Sequence, residues 1–330
     1  IRDSLIFPDE VQTIPAAEGA TASSPEGRMP RLDVSPPSAS LAEAKALLAK
    51  SERPVIIVGH GARFEMEAVT ALAEKLDAPV LTTFKGKGLI SDHHPLGCGV
   101  LGRSGTPIAS WFMNESDLLL VFGASFSNHT GITPKRPIIQ VDYEPMALGR
   151  FHPVAVPVLG EIGVTARLLA DGLQVRTRDR RDEIADRWAI WREEKARREA
   201  DDRGRGVNAA SIFAAMNRHV PEDAVISVDV GNNTYSFGRY FEATHQSVLM
   251  SGYLGSIGFG YPAAMGAWAA APNRPILCVT GDGGFAQYLA EFTTAVKYGM
   301  NITHVLLNNN ELGKISKEQL SLIHISEPTR

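Results

Sequence analysis

Cysteine is nearly absent from this chain: Cys98 and Cys278 are the only two in 330 residues. Two thiols in apolar or glycine-rich surroundings build no disulfide framework, so a reducing, cytoplasmic setting is expected. A bias of charge is lacking as well. The formal net charge is −4, and acids and bases are interspersed, which leaves no basic footprint for nucleic acid. No apolar run approaches the ~20 residues of a membrane span, and the N-terminus lacks a signal-peptide pattern. Asn-x-Ser/Thr triplets begin at Asn114, Asn128, Asn232 and Asn301, and in such a setting they are expected to be chance matches. An initiator methionine is missing too, and Ser4–Val11 reads as the last strand of a preceding domain.

What is present is ordinary globular material: 44% hydrophobic and 21% charged residues over a length that predicts two domains or more. Residues 12–38 are rich in Pro, Ala, Ser and Gly without apolar periodicity and read as a linker. From 39 to 173, apolar runs alternate with helical patterns. Pro54–Val58, Val80–Thr83, Leu118–Phe122 and Ile138–Val141 predict strands of a doubly wound parallel sheet. Gly59-x-Gly61 follows the first of these and is only part of a dinucleotide fingerprint. Residues 174–206 hold a strongly charged connecting helix whose Ile184, Trp188 and Trp191 fall on one stripe. A second α/β domain is expected over 207–319. Leu320–Arg330 changes character and reads as translated read-through into a sequencing adapter, outside the fold.

The segment from Gly281 to Asn309 carries the most chemistry. Ile276–Val279 is a short apolar run, read as a buried strand, and it leads into Gly281-Asp282-Gly283-Gly284-Phe285. The glycines permit a sharp turn and close approach of backbone N–H groups to a ligand. Phe285, Leu289, Phe292 and Val296 recur at helical spacing, so the turn is expected to feed a helix N-terminus, which attracts phosphate. Val305–Leu307 reads as the next buried strand, with Asn308-Asn309 beyond its end. A carboxylate and an amide at neighbouring strand ends, beside exposed N–H groups, suit a magnesium diphosphate; a backbone carbonyl at Glu311 completes the set.

At these residues the chain resembles the thiamine diphosphate enzymes of the acetolactate synthase and pyruvate oxidase group. Gly252–Ala264 and Asp229-Val230-Gly231-Asn232-Asn233, after the strand Ala224–Val228, resemble two further motifs of that family. The resemblance implies two doubly wound parallel-sheet α/β domains, a central DHS-like/Rossmann-like domain and a thiamine diphosphate-binding fold. It implies that residues 1–11 end a pyrimidine-binding domain that is otherwise missing, and that the diphosphate domain is truncated. Asp282 and Asn309 would hold Mg2+ by their side chains and Glu311 by its carbonyl. Gly281, Gly283 and Gly284, with Asn232 and Asn233, would meet the diphosphate. The Gly255 carbonyl would take a hydrogen bond from the aminopyrimidine, and Ile257 would wedge the cofactor into its bent form.

The chemistry so implied is decarboxylation of a 2-oxo acid such as pyruvate, followed by oxidation or carboligation of the enamine, in a homodimer or homotetramer. Acetolactate synthases usually carry a tryptophan where Glu318 stands and pyruvate oxidases a glutamate, so Glu318 leans toward the oxidase. Lys314 departs from the apolar residue usual there. Flavin-containing relatives hold FAD in the central domain, where Gly99–Thr106, Gly123–Phe126 and Asp142 correspond. Ser127-Asn128-His129 departs from the synthase pattern, so FAD and a domain that only supports the dimer both stay open. The activating glutamate of the family belongs to the missing domain, so the fragment alone is expected to be inactive. Two other functions stay in view. One is a nicotinamide-dependent oxidoreductase, which lacks the third glycine of its fingerprint here. The other is a non-catalytic vestigial member, which the retained Asp282 and Asn309 argue against.

Overall fold

Pro54–Val58 is apolar and buried at every position, which only a strand covered on both faces satisfies. The computed structural model describes residues 33–125, 130–133, 135–173, 178–202, 204–252, 254–313 and 315–316. The readings made at residues 1–32, Ser127-Asn128-His129, Tyr253, Lys314, Glu318 and 320–330 lie outside the described residues. The strand Pro54–Val58, β1, is joined by β2 (Val80–Thr82), β3 (Gly97–Val100), β4 (Leu118–Phe122), β5 (Ile138–Asp142) and β6 (Val156–Leu159). Their order is β3-β2-β1-β4-β5-β6, every pairing is parallel, and Ile57 pairs with Leu81 on one side and Val121 on the other. Helices α1 (Ser38–Leu48), α2 (Met66–Leu76), α3 (Pro107–Glu115), α4 (Ile162–Ala170) and α5 (Arg181–Glu199) cover it. Of these, α1, α2 and α4 pack on one another, while α3 and α5 pack together against β3.

A second parallel sheet holds β7 (Val225–Val228), β8 (Ser247–Met250), β9 (Ile276–Gly281) and β10 (Ile302–Leu307) in the order β10-β9-β7-β8. Around it run α6 (Ala209–His219), α7 (Asn232–Tyr240), α8 (Gly260–Ala270) and two short helices, α9 (Asp282–Ala286) and α10 (Glu291–Lys297). The doubly wound sheet expected from the alternating pattern of residues 39–173 and the second one implied by the resemblance are both present.

Some local expectations change. The predicted strands at Val80–Thr83 and Ala224–Val228 each lose one terminal residue. Gly97–Val100 is a strand that its glycines concealed; a methyl at Gly97 would stand 2.4 Å from the Ser91 carbonyl oxygen, so packing requires the glycine. The helix expected across Phe285–Val296 is broken. Between Gln287 and Thr293 the backbone bonds run i→i+3, which interrupts the apolar stripe, so that Phe285 and Phe292 still meet Tyr261 while Leu289 and Val296 face outward. Leu289 and Val296 are consequently 56% and 66% exposed. Val305–Leu307 is likewise not a buried strand. Among the described residues β10 pairs with β9 alone, and its side chains are half-buried or exposed.

The charged helix behaves as its pattern predicts: Ile184, Trp188 and Trp191 are buried, and Trp188 Nε1 donates to the Gly97 carbonyl at 2.8 Å. Two polar contacts fasten the sheets together. Lys87 Nζ lies 2.9 Å from Asp92 Oδ2, with side chains only 1% and 5% exposed, and the same oxygen accepts the Ala243 N–H at 2.8 Å. Glu242, just after α7, accepts from Arg192 and Lys195 of α5. Burial works to raise the Glu242 carboxyl, but Arg192 and Lys195 outweigh it and hold the pKa at about 2.

Breaking the buried pair with Asp92→Ala should cost about 3–5 kcal/mol, because it strands a buried ammonium; Lys87→Met in the same chain should recover part of that loss in urea midpoints. Glu242 has a depressed folded pKa, so its contribution is full above the ordinary 4.5 and fades as pH falls toward about 2. A Glu242→Gln variant should therefore lose stability at neutral pH and show a flatter acid limb across that window in urea titrations.

Candidate functional site

β9 and β10 end side by side, with Leu307 in register with Gly281. Asp282 opens α9 directly after β9, and its side chain is half-buried. Beyond β10, Asn310 takes a left-handed conformation (φ 54°), which asparagine tolerates better than most residues. The Asn310 N–H donates to Asn308 Oδ1 at 3.1 Å, so Asn308 is used in building the turn and Asn309 is left to face Asp282.

The facing is close. One atom of the Asn309 carboxamide stands 3.3 Å from Asp282 Oδ1 and 2.8 Å from the Glu311 carbonyl oxygen. As placed it is the oxygen, which also accepts the Glu311 N–H at 3.3 Å. Three oxygens then converge, from a carboxylate, an amide and a backbone carbonyl. Turning the amide over would satisfy the two acceptors but set an NH2 against the Glu311 N–H. Oxygens on one edge of a magnesium octahedron lie roughly 2.9 Å apart, given bonds of about 2.1 Å. Among the described residues no cluster of three or more His, Cys, Asp and Glu side chains is shaped for a metal, so a cation site here depends on amide and carbonyl oxygens.

The glycines around this point differ in what packing asks of them: Gly283 faces only the end of the exposed Leu312 side chain, whereas Gly284 faces a buried carboxylate. A methyl at Gly283 would stand 2.5 Å from Leu312 Cδ2, and one at Gly284 2.1 Å from Asp229 Oδ2. Gly281 has ordinary space, its nearest neighbour being Asn233 Oδ1 at 3.8 Å. The first N–H groups of α9 have no acceptor within the helix, as at any helix start. Asn232 is exposed, and its Nδ2 lies 3.0 Å from where a methyl on Gly313 would sit; Asn309 Nδ2 is 3.5 Å from the same point. Asn233 is different. It is buried, and its Nδ2 donates to the Asp229 carbonyl at 2.8 Å, so it shapes the turn. Thus Asp282, Gly283, Gly284, Asn309, Glu311 and Asn232 are brought together. Gly255 (φ 66°, exposed) and Ile257 (half-buried) stand on a separate loop between β8 and α8.

The sequence reading assigned no role to Asp229, which joins these loops. Its side chain is completely buried; Oδ1 accepts the Val230 N–H at 2.7 Å and Oδ2 the Gly258 N–H at 3.1 Å. Burial pushes its carboxyl pKa up, against the pull of those N–H groups. The available signal was its position, an acid immediately after a buried strand.

A cavity of about 350 Å3 lies across the carboxyl ends of both sheets. Gly59, Lys85, Gly123 and Asp142 line it from the first sheet, and Gly231 and Gly255 from the second. It opens where the order reverses between β1 and β4, the position at which open α/β sheets bind ligands. Gly59-x-Gly61 has a packing reason: a methyl on Gly59 would stand 2.3 Å from the Gly123 carbonyl oxygen. His60, also in the lining, is kept below its usual pKa by burial and then by Lys85 and Arg63, so it is neutral at pH 7. Asp142 is raised by burial, although the Glu144 N–H donates to it at 2.9 Å. A larger cavity, about 850 Å3, lies beside the end of α5 and takes in none of the expected site residues.

Two family models match the chain: the thiamine pyrophosphate enzyme central domain over residues 41–169, and the C-terminal TPP binding domain over 229–326. The chain is 33% identical over 294 residues to YdaP of Bacillus subtilis, named as a putative thiamine pyrophosphate-containing protein; the match covers 87% of this chain and 50% of that one. It is 30% identical to the acetolactate synthase isozyme 2 large subunit of Escherichia coli, over 87% of this chain and 53% of the relative. A probable acetolactate synthase large subunit of Methanococcus aeolicus is 30% identical, over 84% and 50%. The chain spans about half the length of the curated relatives it matches.

Gly284→Ala drives a methyl against Asp229 and should cost about 1–3 kcal/mol. Gly266→Ala, on α8 with nothing within 4 Å, should be neutral or slightly stabilising in the same urea titration.

Proposed function

The chain belongs to the thiamine pyrophosphate enzymes, and on that premise we propose that it carries the magnesium-diphosphate grip of a 2-oxo acid decarboxylating enzyme. The observation behind this reading is the convergence of Asp282 Oδ1, Asn309 Oδ1 and the Glu311 carbonyl. That donor set is hard, carries one negative charge and leaves other positions of an octahedron for phosphate and water, as magnesium prefers. Thiamine diphosphate, when bound, supplies the electron sink for loss of carbon dioxide.

The roles of the chain's own residues follow from their positions. Asp282, Asn309 and Glu311 hold the ion. Gly283 and Gly284, free of side chains, offer their N–H groups to the diphosphate, with the Asn232 amide beside them. Asn233 contributes by fixing the turn that carries Asn232. Gly255 presents its carbonyl to the aminopyrimidine, and Ile257 supplies the apolar wedge. Glu318 is assigned to the active site and favours oxidation of the enamine, while the synthase relatives favour carboligation. The assembly is a homodimer or homotetramer in which a pyrimidine-binding domain outside this chain supplies the activating glutamate; purified fragment given pyruvate, cofactor and magnesium should show no turnover.

The cavity at the β1–β4 reversal supports a second ligand, a dinucleotide, for which FAD is the family's choice. Asp142 at the end of β5 lines this cavity with Gly59 and Gly123, and would meet a ribose hydroxyl there. Titration with FAD and with NAD separates this from the nicotinamide reading. Among the described residues no helix is long and apolar enough to cross a membrane.

In the full-length protein, Asp282→Ala should abolish magnesium-dependent binding of thiamine diphosphate in calorimetric titration while far-ultraviolet circular dichroism stays native. Affinity equal to that of the parent would remove the proposed metal site. Asn309→Ala should weaken the same binding by about 10–100-fold, the scale for loss of one oriented metal contact.

A further inference from the structure

We propose that Asp229 is a positioning residue that holds the three cofactor-facing loops in one geometry. The inference rests on the thiamine diphosphate reading of the site and concerns a residue that touches neither ion nor cofactor there.

Asp229 stands at the carboxyl end of β7, and its side chain has no exposed surface. Burying a carboxylate without a cation is costly, and among the described residues no salt bridge reaches Asp229. Its compensation is a set of backbone donors. Oδ1 takes the Val230 N–H and Oδ2 the Gly258 N–H, at 2.7 and 3.1 Å. These donors belong to two different loops, the turn after β7 and the segment carrying Gly255 and Ile257. The third loop is held by contact. Gly284 packs so close to Oδ2 that a Cβ there would stand 2.1 Å away.

The backbone of Asp229 extends the same junction. Its N–H donates to the Val279 carbonyl of β9 at 2.8 Å, and its carbonyl accepts from Asn233 Nδ2 and Thr234 Oγ1. One residue therefore sets the Asn232 turn, the Gly255–Ile257 loop and the Gly283-Gly284 turn relative to one another. Apolar packing cannot explain the choice of residue, because each oxygen accepts a backbone N–H. Asparagine would turn an NH2 toward an N–H, and glutamate would carry its carboxyl into the space that Gly284 keeps clear. Core residues nearby lack this property: Phe213 is equally buried in the same sheet's core but reaches none of the three loops through a hydrogen bond.

The test uses the full-length protein as Asp229→Asn, Asp229→Ser and, as a matched core control, Phe213→Leu. A positioning role predicts that both Asp229 variants fold and lose kcat by on the order of 10–100-fold at saturating cofactor, with KM for the 2-oxo acid within about twofold. The Kd for thiamine diphosphate with magnesium should rise in both. Phe213→Leu should lower the thermal midpoint yet keep kcat and cofactor affinity. Asp229 variants that match the parent in kcat and cofactor Kd, or that lose activity only in proportion to a fall in thermal midpoint that Phe213→Leu reproduces, would overturn the role. So would failure of both Asp229 variants to fold, since the carboxylate would then be a folding element. A parent protein that does not bind thiamine diphosphate sinks the functional reading itself, an outcome distinct from all of these.

Discussion

A parallel strand buried on both faces has nowhere to put a charged side chain except at or beyond its end, although neutral polar groups such as Ser227 and Thr280 fit within it. That constraint organises this molecule. β1, β4 and β7 are buried at every position, and β9 at all but its last. Gly59 with His60, Gly123 with Ser125, Asp229, and Gly281 with Asp282 all stand at or just past the carboxyl ends. Because all strands within a sheet run the same way, these ends collect on one edge of it, and the ligand-facing groups collect with them.

The same constraint makes the tips fragile. Beyond the last strand residue the ladder no longer holds the chain, and each loop needs another anchor. Three kinds appear. Glycines allow backbone to pack against backbone, as where Gly59 meets Gly123. Asparagines bond their own turn, as Asn308 and Asn233 do. A buried carboxylate at Asp229 gathers N–H groups from separate loops. The last is electrostatically expensive, and this explains why it occurs at the junction and nowhere in the strand cores. The Lys87–Asp92 pair works differently, since it balances its own charge while tying the loop after β2 to the segment after α7.

The family assignment and the physical reading support each other at different levels. Half-length similarity to thiamine pyrophosphate enzymes establishes kinship, and the geometry at Asp282, Asn309 and Glu311 gives that kinship a chemical reason in this chain. The Asp282 carboxylate, the Asn309 carboxamide and the Glu311 carbonyl meet at the ends of adjacent strands, whatever the sequence resembles. The cavity between β1 and β4 is a second, independent consequence of strand order.

From sequence alone, the alternation of apolar runs and helical stripes determined the parallel α/β sheet of residues 39–173, because strand and helix periods are local, and the motifs of the second domain supplied its sheet by resemblance. The pairing of Asp282 with Asn309 was legible for the same reason: one strand–turn–helix–strand unit brings its two strand ends together. The stripe of Ile184, Trp188 and Trp191 likewise declared its buried face. Only the tertiary structure decided what lay across distance. It showed that Asn233 serves its own turn, that Gly284 is required by Asp229, and that β10 pairs with β9 alone among the described residues. It also showed that the helix after Asp282 breaks, and that Lys85 and His60 share a cavity with Gly255. Each of these depends on contacts between residues far apart in the chain. Local propensity carries no information about such contacts until packing fixes which strand ends become neighbours.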